Sequence, residues 1–190
     1  MSIVKHLEQH LGSIQYGWGE RSESQASVSR ARIQVARFDG VLLDEAVTYA
    51  TIGLSDIVKL MDDGREVRQE LLFAAHARYP GSQIASFLLS FAEWVGKHEG
   101  ALLRGQVIGP STSLIPDVTA NALYVSNPVI FPDGISSYTD TNPPTVIAWL
   151  IPLVAGEAER VRNEGWRKFE DTLETVGVDL LDLNRKSIFS

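Results

Sequence analysis

Three segments of the chain repeat their apolar residues at the spacing of an amphipathic helix. Residues 3–11 form the first, with Ser2 as its predicted N-cap. The second follows Ser82, the predicted cap of the most regular pattern in the chain, and its apolar positions are Ile84, Phe87, Leu88, Phe91, Trp94 and Val95. The third covers residues 154–176. These patterns predict helices near the start, in the middle and near the end of the chain.

Five other segments have the patterns of β-strands. Polar and apolar residues alternate over 28–38, which predicts a strand with one buried face. Residues 66–77 become apolar on both faces halfway along, which predicts a central strand. Segments 46–52, 120–125 and 145–153 complete the set. Because helices and strands do not alternate strictly, we expect an α+β fold with a mixed, mostly antiparallel sheet flanked by helices.

The length of 190 residues predicts a single domain over residues 1–190. A 44% hydrophobic content is sufficient for a core without disulfides, and the chain contains no cysteine, which excludes disulfides and thiolate metal sites. The N-terminal segment has no uninterrupted apolar core of a signal peptide, and no segment of the chain approaches the length of a membrane span. We therefore expect a cytoplasmic protein that does not bind membranes.

The net charge of −7 bears on the choice of partners. The seventeen basic residues do not cluster into a stripe, which disfavours nucleic-acid binding. An acidic surface mainly keeps a protein soluble, and it can also steer a basic partner towards it.

Residues 50–56, ATIGLSD, place a glycine and a serine at the end of a predicted strand, as the nucleophile turn of a hydrolase does. That turn requires a second glycine, and Ile57 stands in its place. We therefore interpret Gly53 as a backbone requirement and Ser55 or Asp56 as the cap of the next turn. The histidines form no metal motif and the chain has no phosphate-binding loop, so we expect no catalytic residue, cofactor or metal.

Several short motifs stand in a characteristic order along the chain. They are TYATIGLS at 48–55, GREVRQELLFAA at 64–75, ALYVSNP at 122–128, WLIPL at 149–153 and DLLDLNRKS at 179–187. In order and spacing they resemble the suppressor of fused family, specifically its small single-domain bacterial members. The resemblance covers roughly residues 20–187.

The resemblance implies a domain like the N-terminal half of the animal protein, which restrains transcription factors of the hedgehog pathway. It implies protein binding without catalysis. Free-standing bacterial relatives look like immunity proteins, which implies a cognate toxin as the partner, and many such toxins are basic. Recurring family positions, which we interpret as scaffold, correspond to Gly53, Ser55, Arg65, Glu70, Pro152 and Arg185.

Aromatic residues in predicted loops are the candidates for contact with a protein partner. Tyr16 and Trp18 lie in the first predicted loop, over residues 13–26, and Phe131 and Tyr138 lie in a long segment between two strands. The alternative for all four rings is that they fold back onto the core.

Two other functional classes remain open. The first is a small-molecule enzyme, such as a hydrolase, with a site assembled from scattered residues, for which His76, Glu70 and Ser55 would converge in a deep pocket. The second is a structural homo-oligomer, for which an apolar patch would lie at a symmetry axis. The sequence leaves the partner and the oligomeric state undetermined.

Overall fold

The computed structural model describes residues 2–19 and 32–189. Its helices are α1 Ile3–Leu11, α2 Gly81–Lys97, α3 Glu157–Glu164 and α4 Trp166–Val176. Its strands are β1 Tyr16–Gly19, β2 Gln34–Asp39, β3 Ala46–Ile52, β4 Lys59–Leu60, β5 Glu66–His76, β6 Val107–Ile108, β7 Ala122–Ser126, β8 Ser137–Tyr138 and β9 Thr145–Leu153.

All these strands belong to one sheet. Seven of them follow the order β1-β2-β3-β5-β9-β7-β6, while β4 pairs with β5 and β8 pairs with β9. Among the described strands, only β5 and β9 run parallel to each other, and every other pair is antiparallel. The predicted fold class, an α+β fold with a mixed and mostly antiparallel sheet, is confirmed.

Helices cover both faces of the sheet. Residues of α2, such as Ile84 and Leu88, pack on one face together with Leu71 and Phe73 of β5. The other face packs against residues of α1, α3 and α4 and includes Leu72 of β5. Neighbouring residues of β5 thus point into different cores, as alternation along a strand requires. The prediction that β5 is a central strand, covered on each side, is confirmed.

The first helix and two strands have the predicted bounds. Helix α1 begins after Ser2, whose side chain accepts a hydrogen bond from the backbone N–H of Lys5, and it ends before Gly12. The predicted strands over 46–52 and 145–153 match β3 and β9. These bounds were predictable because the helix has a capping residue and each of the two strands is a dense run of strand-forming residues.

Other boundaries differ from the prediction for identifiable reasons. Part of the predicted first loop is strand β1, because its backbone pairs with β2, and residues 20–31 lie outside the described chain. Ser82 does not cap α2, because the helix already begins at Gly81 with Pro80 in the N-cap position. Strand β7 begins after Ala120, whose N–H donates to the carbonyl of Leu183 instead of to a neighbouring strand.

One further property of the helices bears on membrane contact. Across residues 2–19 and 32–189, no helix combines the length and the apolar character needed to cross a membrane.

Candidate functional site

A cleft of about 620 Å³ opens beside the central strands of the sheet. One of its walls consists of residues 101–104, which follow α2. The other is the segment 127–137, which runs from the end of β7 to the first residue of β8 and of which every residue except Ile130 lines the cleft. The floor is formed by strand residues, among them Gln69 of β5, Val125 of β7 and Ile147 of β9. The cleft therefore lies on rigid elements and is bordered by two connecting segments.

The cleft exists because β7 and β8 both pair with β9 but leave a gap between them. Ser126 at the end of β7 lies opposite Trp149, whereas Ser137 at the start of β8 lies opposite Val146. Between them the chain contains Pro128, which lacks the N–H group that a strand ladder needs. The intervening residues leave the strand path and become a wall of the cleft.

The wall formed by residues 101–104 is fastened to the sheet. The Gln69 side chain donates from Nε2 to the carbonyl of Leu102 and accepts from the N–H of Leu102, both at 2.8 Å. At the other end of this wall, Arg104 Nε donates to Glu170 of α4 at 3.1 Å. These bonds hold the wall in place before any partner arrives.

Glu170 links α4 to the cleft. Its carboxylate accepts hydrogen bonds from Arg104, from the hydroxyl of Tyr124 at 2.7 Å and from that of Ser126 at 3.4 Å. Burial alone would raise the pKa of Glu170, but these donors outweigh it and the pKa lies below its usual range. The carboxylate therefore stays ionised, and its ion pair with Arg104 persists at neutral pH.

The wall formed by residues 127–137 presents apolar side chains to solvent. Val129 is 73% exposed and Ile130 is 44% exposed. The next residue, Phe131, is buried, and its ring packs edge-on against Trp149 with 5.7 Å between the ring centroids. The segment is thus anchored in the core by one ring and offers its apolar tip to a partner.

The chemistry of the lining suits binding. Of the described residues that line the cleft, only Arg104 and Asp133 are charged, and the serines among them have no histidine beside them in the lining. A serine nucleophile needs such a base within hydrogen-bond distance. No group of three or more His, Cys, Asp or Glu residues in the described chain could hold a metal ion. The cleft can take up apolar side chains and offer a few polar contacts.

Three of the predicted scaffold residues meet in one buried network. Glu70 is fully buried, and its Oε1 accepts hydrogen bonds from the N–H of Gly53 at 2.9 Å and from Ser55, through the N–H at 3.0 Å and the hydroxyl at 2.7 Å. Its Oε2 accepts from the Thr51 hydroxyl at 2.5 Å. Burial raises the pKa of Glu70, and the hydrogen bonds oppose that rise. The Ser55 hydroxyl therefore serves as a donor to the buried carboxyl group of Glu70.

Gly53 adopts a conformation that side chains disfavour, with φ of +97°. A Cβ atom at this position would lie 2.6 Å from the carbonyl oxygen of Arg32. The 3₁₀ turn Leu54–Asp56 follows, with Gly53 in its N-cap position and without a side-chain capping bond. The prediction that Ser55 or Asp56 caps this turn is wrong, because Ser55 reaches the buried Glu70 instead.

Pro152 and Arg185, two other predicted scaffold residues, meet at a second buried site. Arg185 binds the fully buried Glu157 through two parallel contacts of 2.6 Å, and its Nη2 also donates to the carbonyl of Pro152 at 3.1 Å. Arg65 lies apart from both networks. It is exposed and pairs with Asp63 in a turn at 2.7 Å.

The four aromatic candidates separate into two groups. Tyr16 is 58% exposed and Trp18 is half-buried, with 4.6 Å between their ring centroids on β1. Phe131 and Tyr138 lie in the core, and the Tyr138 ring is 5.3 Å from the ring of His6. Only Tyr16 and Trp18 are therefore positioned to touch a partner directly.

The residues considered for an enzyme do not converge. Ser55 contacts Glu70, but His76 stands six residues further along β5, a separation of about 20 Å in an extended strand. Its Nε2 atom lies 2.6 Å from the Oδ2 atom of Asp179.

Sequence reasoning missed two buried charged groups. Lys59 is 2% exposed, and its Nζ donates to the carbonyls of Val95 at 2.6 Å, Gly96 at 3.0 Å and His98 near the end of α2, while burial lowers the pKa of Lys59. The second is Glu157. Lys59 stands between two apolar residues, and this pattern gives no signal of burial. Glu157 follows a glycine, and an acidic residue in that position does indicate the start of a helix.

Comparisons with known proteins extend this description. The sequence model of the suppressor of fused protein family (SUFU) matches residues 29–186. A search among curated proteins found no match. A SUFU homolog from Neisseria gonorrhoeae FA 1090 has a TM-score of 0.76 and 16% identity, over 98% of this chain and 94% of that one.

Two further solved structures are similar. A chain of the Sufu–Fu complex has a TM-score of 0.67 and 18% identity, over 98% of this chain and 91% of that one. Drosophila Suppressor of Fused has a TM-score of 0.58 and 18% identity, over 84% of this chain and 43% of that one. At these identities the structures show a shared fold. The family match covers most of the sequence and agrees with the order of its motifs, and the chain belongs to the suppressor of fused family.

Proposed function

We propose that this chain is a protein-binding domain whose cleft receives an apolar segment of its partner. The observation that carries the proposal is the exposed pair Val129 and Ile130 at the tip of a wall that is otherwise anchored in the core. Exposed apolar side chains beside a preformed cleft are typical of binding surfaces. The complex of Sufu with Fu supports a protein as the partner, because it contains a relative of this chain.

Charge near the cleft supports a basic partner. Asp62, Glu66 and Asp133 are exposed and have no ion-pair partner among the described residues. The two arginines nearby, Arg65 and Arg104, are already bound to carboxylates. The uncompensated negative charge would attract lysine or arginine side chains that flank the apolar segment.

As the finer form of the proposal, the partner is a basic toxin and this chain is its immunity protein in the cytoplasm. The net charge of −7 and the absence of cysteine support this assignment. A neutralising protein needs only to bind tightly and cover the toxin, and the cleft offers a rigid surface for that purpose.

The test uses the protein encoded by the neighbouring gene. Co-expression should relieve its toxicity, and purified chains should bind each other in a pull-down. Replacing Val129 and Ile130 by Asp should weaken binding by about tenfold or more, because each carboxylate would lose its water in an apolar contact without gaining a partner. Val176→Asp is the matched control, since Val176 is 54% exposed but lies on α4. Absence of binding between the wild-type chains would refute the toxin assignment.

A further inference from the structure

The two ends of the sheet differ in how their backbone is protected. At the β6 end, Arg162 donates from Nη2 to the carbonyl oxygens of Val107 and Gly109. At the other end, β1 pairs with β2, where Trp18 lies opposite Val35, and no residue of the described chain pairs with its outer side. Unpaired N–H and C=O groups on an edge strand form a template for another strand.

Strand β1 also lacks the charged and proline residues that discourage strand addition. Its sequence is Tyr-Gly-Trp-Gly, without a charged residue or a proline. Gly17 and Gly19 are exposed, and alternation places Tyr16 and Trp18 together on the other face. Because glycine carries no side chain, a partner's backbone can approach this edge closely.

A shallow depression of about 440 Å³ lies over β1 and the neighbouring end of β2. It is lined by Gln15, Tyr16, Trp18, Arg37 and Asp39. A side chain of an added strand would enter this depression between the aromatic rings and the Arg37–Asp39 pair. The rings favour an aliphatic or aromatic side chain there.

Charge at this end of the sheet determines the chemistry of the occupant. Carboxylates outnumber guanidinium groups around the start of β1 and the neighbouring ends of β2, β3 and β5. The guanidinium groups belong to Arg37 and Arg78, and the carboxylates belong to Asp39, Asp44, Glu45, Asp179 and Asp182. The two arginines pair with Asp39 and Asp182 at 2.6 Å, which leaves Asp44 and Glu45 exposed without an ion-pair partner among the described residues. A basic residue of the occupant is therefore favoured near Asp44 and Glu45.

The size of the edge decides between a second copy of this chain and a peptide. Four residues of extended strand span about 13 Å. If the strand is roughly 10 Å thick, the contact area of this edge is on the order of 130 Å². That area is far below the roughly 800 Å² that each partner buries in a stable complex. A dimer through β1 alone would not persist, whereas a short extended segment needs no larger surface.

We propose that the β1 edge binds an extended segment of a partner protein by strand addition, with a basic residue near Asp44 and Glu45 and an apolar side chain in the depression. This surface is separate from the cleft, because β2 and β3 lie between β1 and the strands that floor the cleft.

The test is an NMR titration of the ¹⁵N-labelled full chain with the blocked peptide Lys-Lys-Val-Thr-Val-Thr. The amide signals of Gly17, Trp18 and Gly19 should shift, and hydrogen exchange should slow at the alternate β1 amides that face the open edge. The peptide Glu-Glu-Val-Thr-Val-Thr should bind about fivefold more weakly, because two exposed charge contacts become repulsive. A twin of the first peptide with alternate backbone nitrogens methylated should cause no shifts, since it cannot complete the ladder.

Variants separate this surface from the rest of the molecule. Tyr16→Lys should weaken binding of the basic peptide by about fivefold or more. Val176→Lys, at a similarly exposed apolar position on α4, should leave it unchanged, and so should Val129→Asp in the cleft. Unshifted signals over Gly17–Gly19, equal binding of the methylated twin, or protection of every β1 amide in the free chain would each overturn the proposal.

Discussion

The buried ion pair between Glu157 and Arg185 offers the sharpest test of how the C-terminal segment is held. Arg185→Met removes a guanidinium group that binds both carboxylate oxygens of Glu157 and the carbonyl of Pro152. Glu157 is fully buried and would keep only the backbone N–H groups of Val154 and Ile188 as partners. The substitution thus leaves a charge in the core without its counter-ion.

The expected cost follows from that geometry. Removing one partner of a buried pair costs about 3–5 kcal/mol in the free energy of unfolding, because the remaining charge stays desolvated. For a chain of this length, this corresponds to a fall in Tm of roughly 6–20 °C. Arg185→Lys, which keeps the charge but loses the paired geometry, should give an intermediate loss.

Urea unfolding followed by circular dichroism measures this change. The matched control is Arg65→Met, which breaks an exposed ion pair with Asp63 and should leave the free energy of unfolding nearly unchanged. Glu157→Gln combined with Arg185→Met should recover part of the loss, since no uncompensated charge remains. A cost below about 1 kcal/mol for Arg185→Met would show that water reaches the pair and that the reasoning is wrong.

Three further predictions concern the turn after β3 and its buried carboxylate. Gly53→Val should lower the free energy of unfolding by about 1–3 kcal/mol, and its loss in thermal unfolding should exceed that of Gly40→Val. Both glycines have positive φ, but only at Gly53 would a side chain meet a backbone oxygen. Equal losses of stability would contradict this reasoning. Because burial raises the pKa of Glu70, the neutral carboxyl group favours folding. This stabilisation is complete below the pKa of Glu70 in the unfolded chain, and it is lost as the pH rises through the higher pKa in the folded chain. Glu70→Gln should therefore lose less stability than the wild type as the pH rises above the unfolded pKa of a glutamate, about 4.3, in urea titrations, and parallel curves would refute the assignment. Ser55→Ala should leave the Kd for a protein partner unchanged in calorimetry, because its hydroxyl points to Glu70; any loss of a measured catalytic turnover would show that Ser55 has a chemical role.

The fold was predictable where local patterns carry the information. The two-sided apolar pattern of β5 predicted a central strand, and the apolar repeat after Ser82 predicted α2. Strand β1 was not predictable, because a four-residue segment with two glycines has a weak strand preference and forms only by pairing with β2. Boundaries set by long-range hydrogen bonds, such as the one at Ala120, have no local signal at all.

The candidate site was predictable only in part. The family motifs named Gly53, Ser55 and Glu70, and the structure joins them through one carboxylate. The sequence did not indicate that Phe131 would be an anchor in the core and its neighbour Val129 an exposed tip. The difference depends on how the segment after β7 leaves the sheet, which is a property of tertiary packing.

The central claim is that the cleft is where this chain binds a protein partner. Hydrogen–deuterium exchange of the chain, alone and with the neighbouring gene's product bound, tests it most directly. The account predicts slower exchange over residues 101–104 and 127–137 in the complex, with little change on α4 outside its contact with Arg104. A complex that forms with unchanged exchange in both segments would contradict the account.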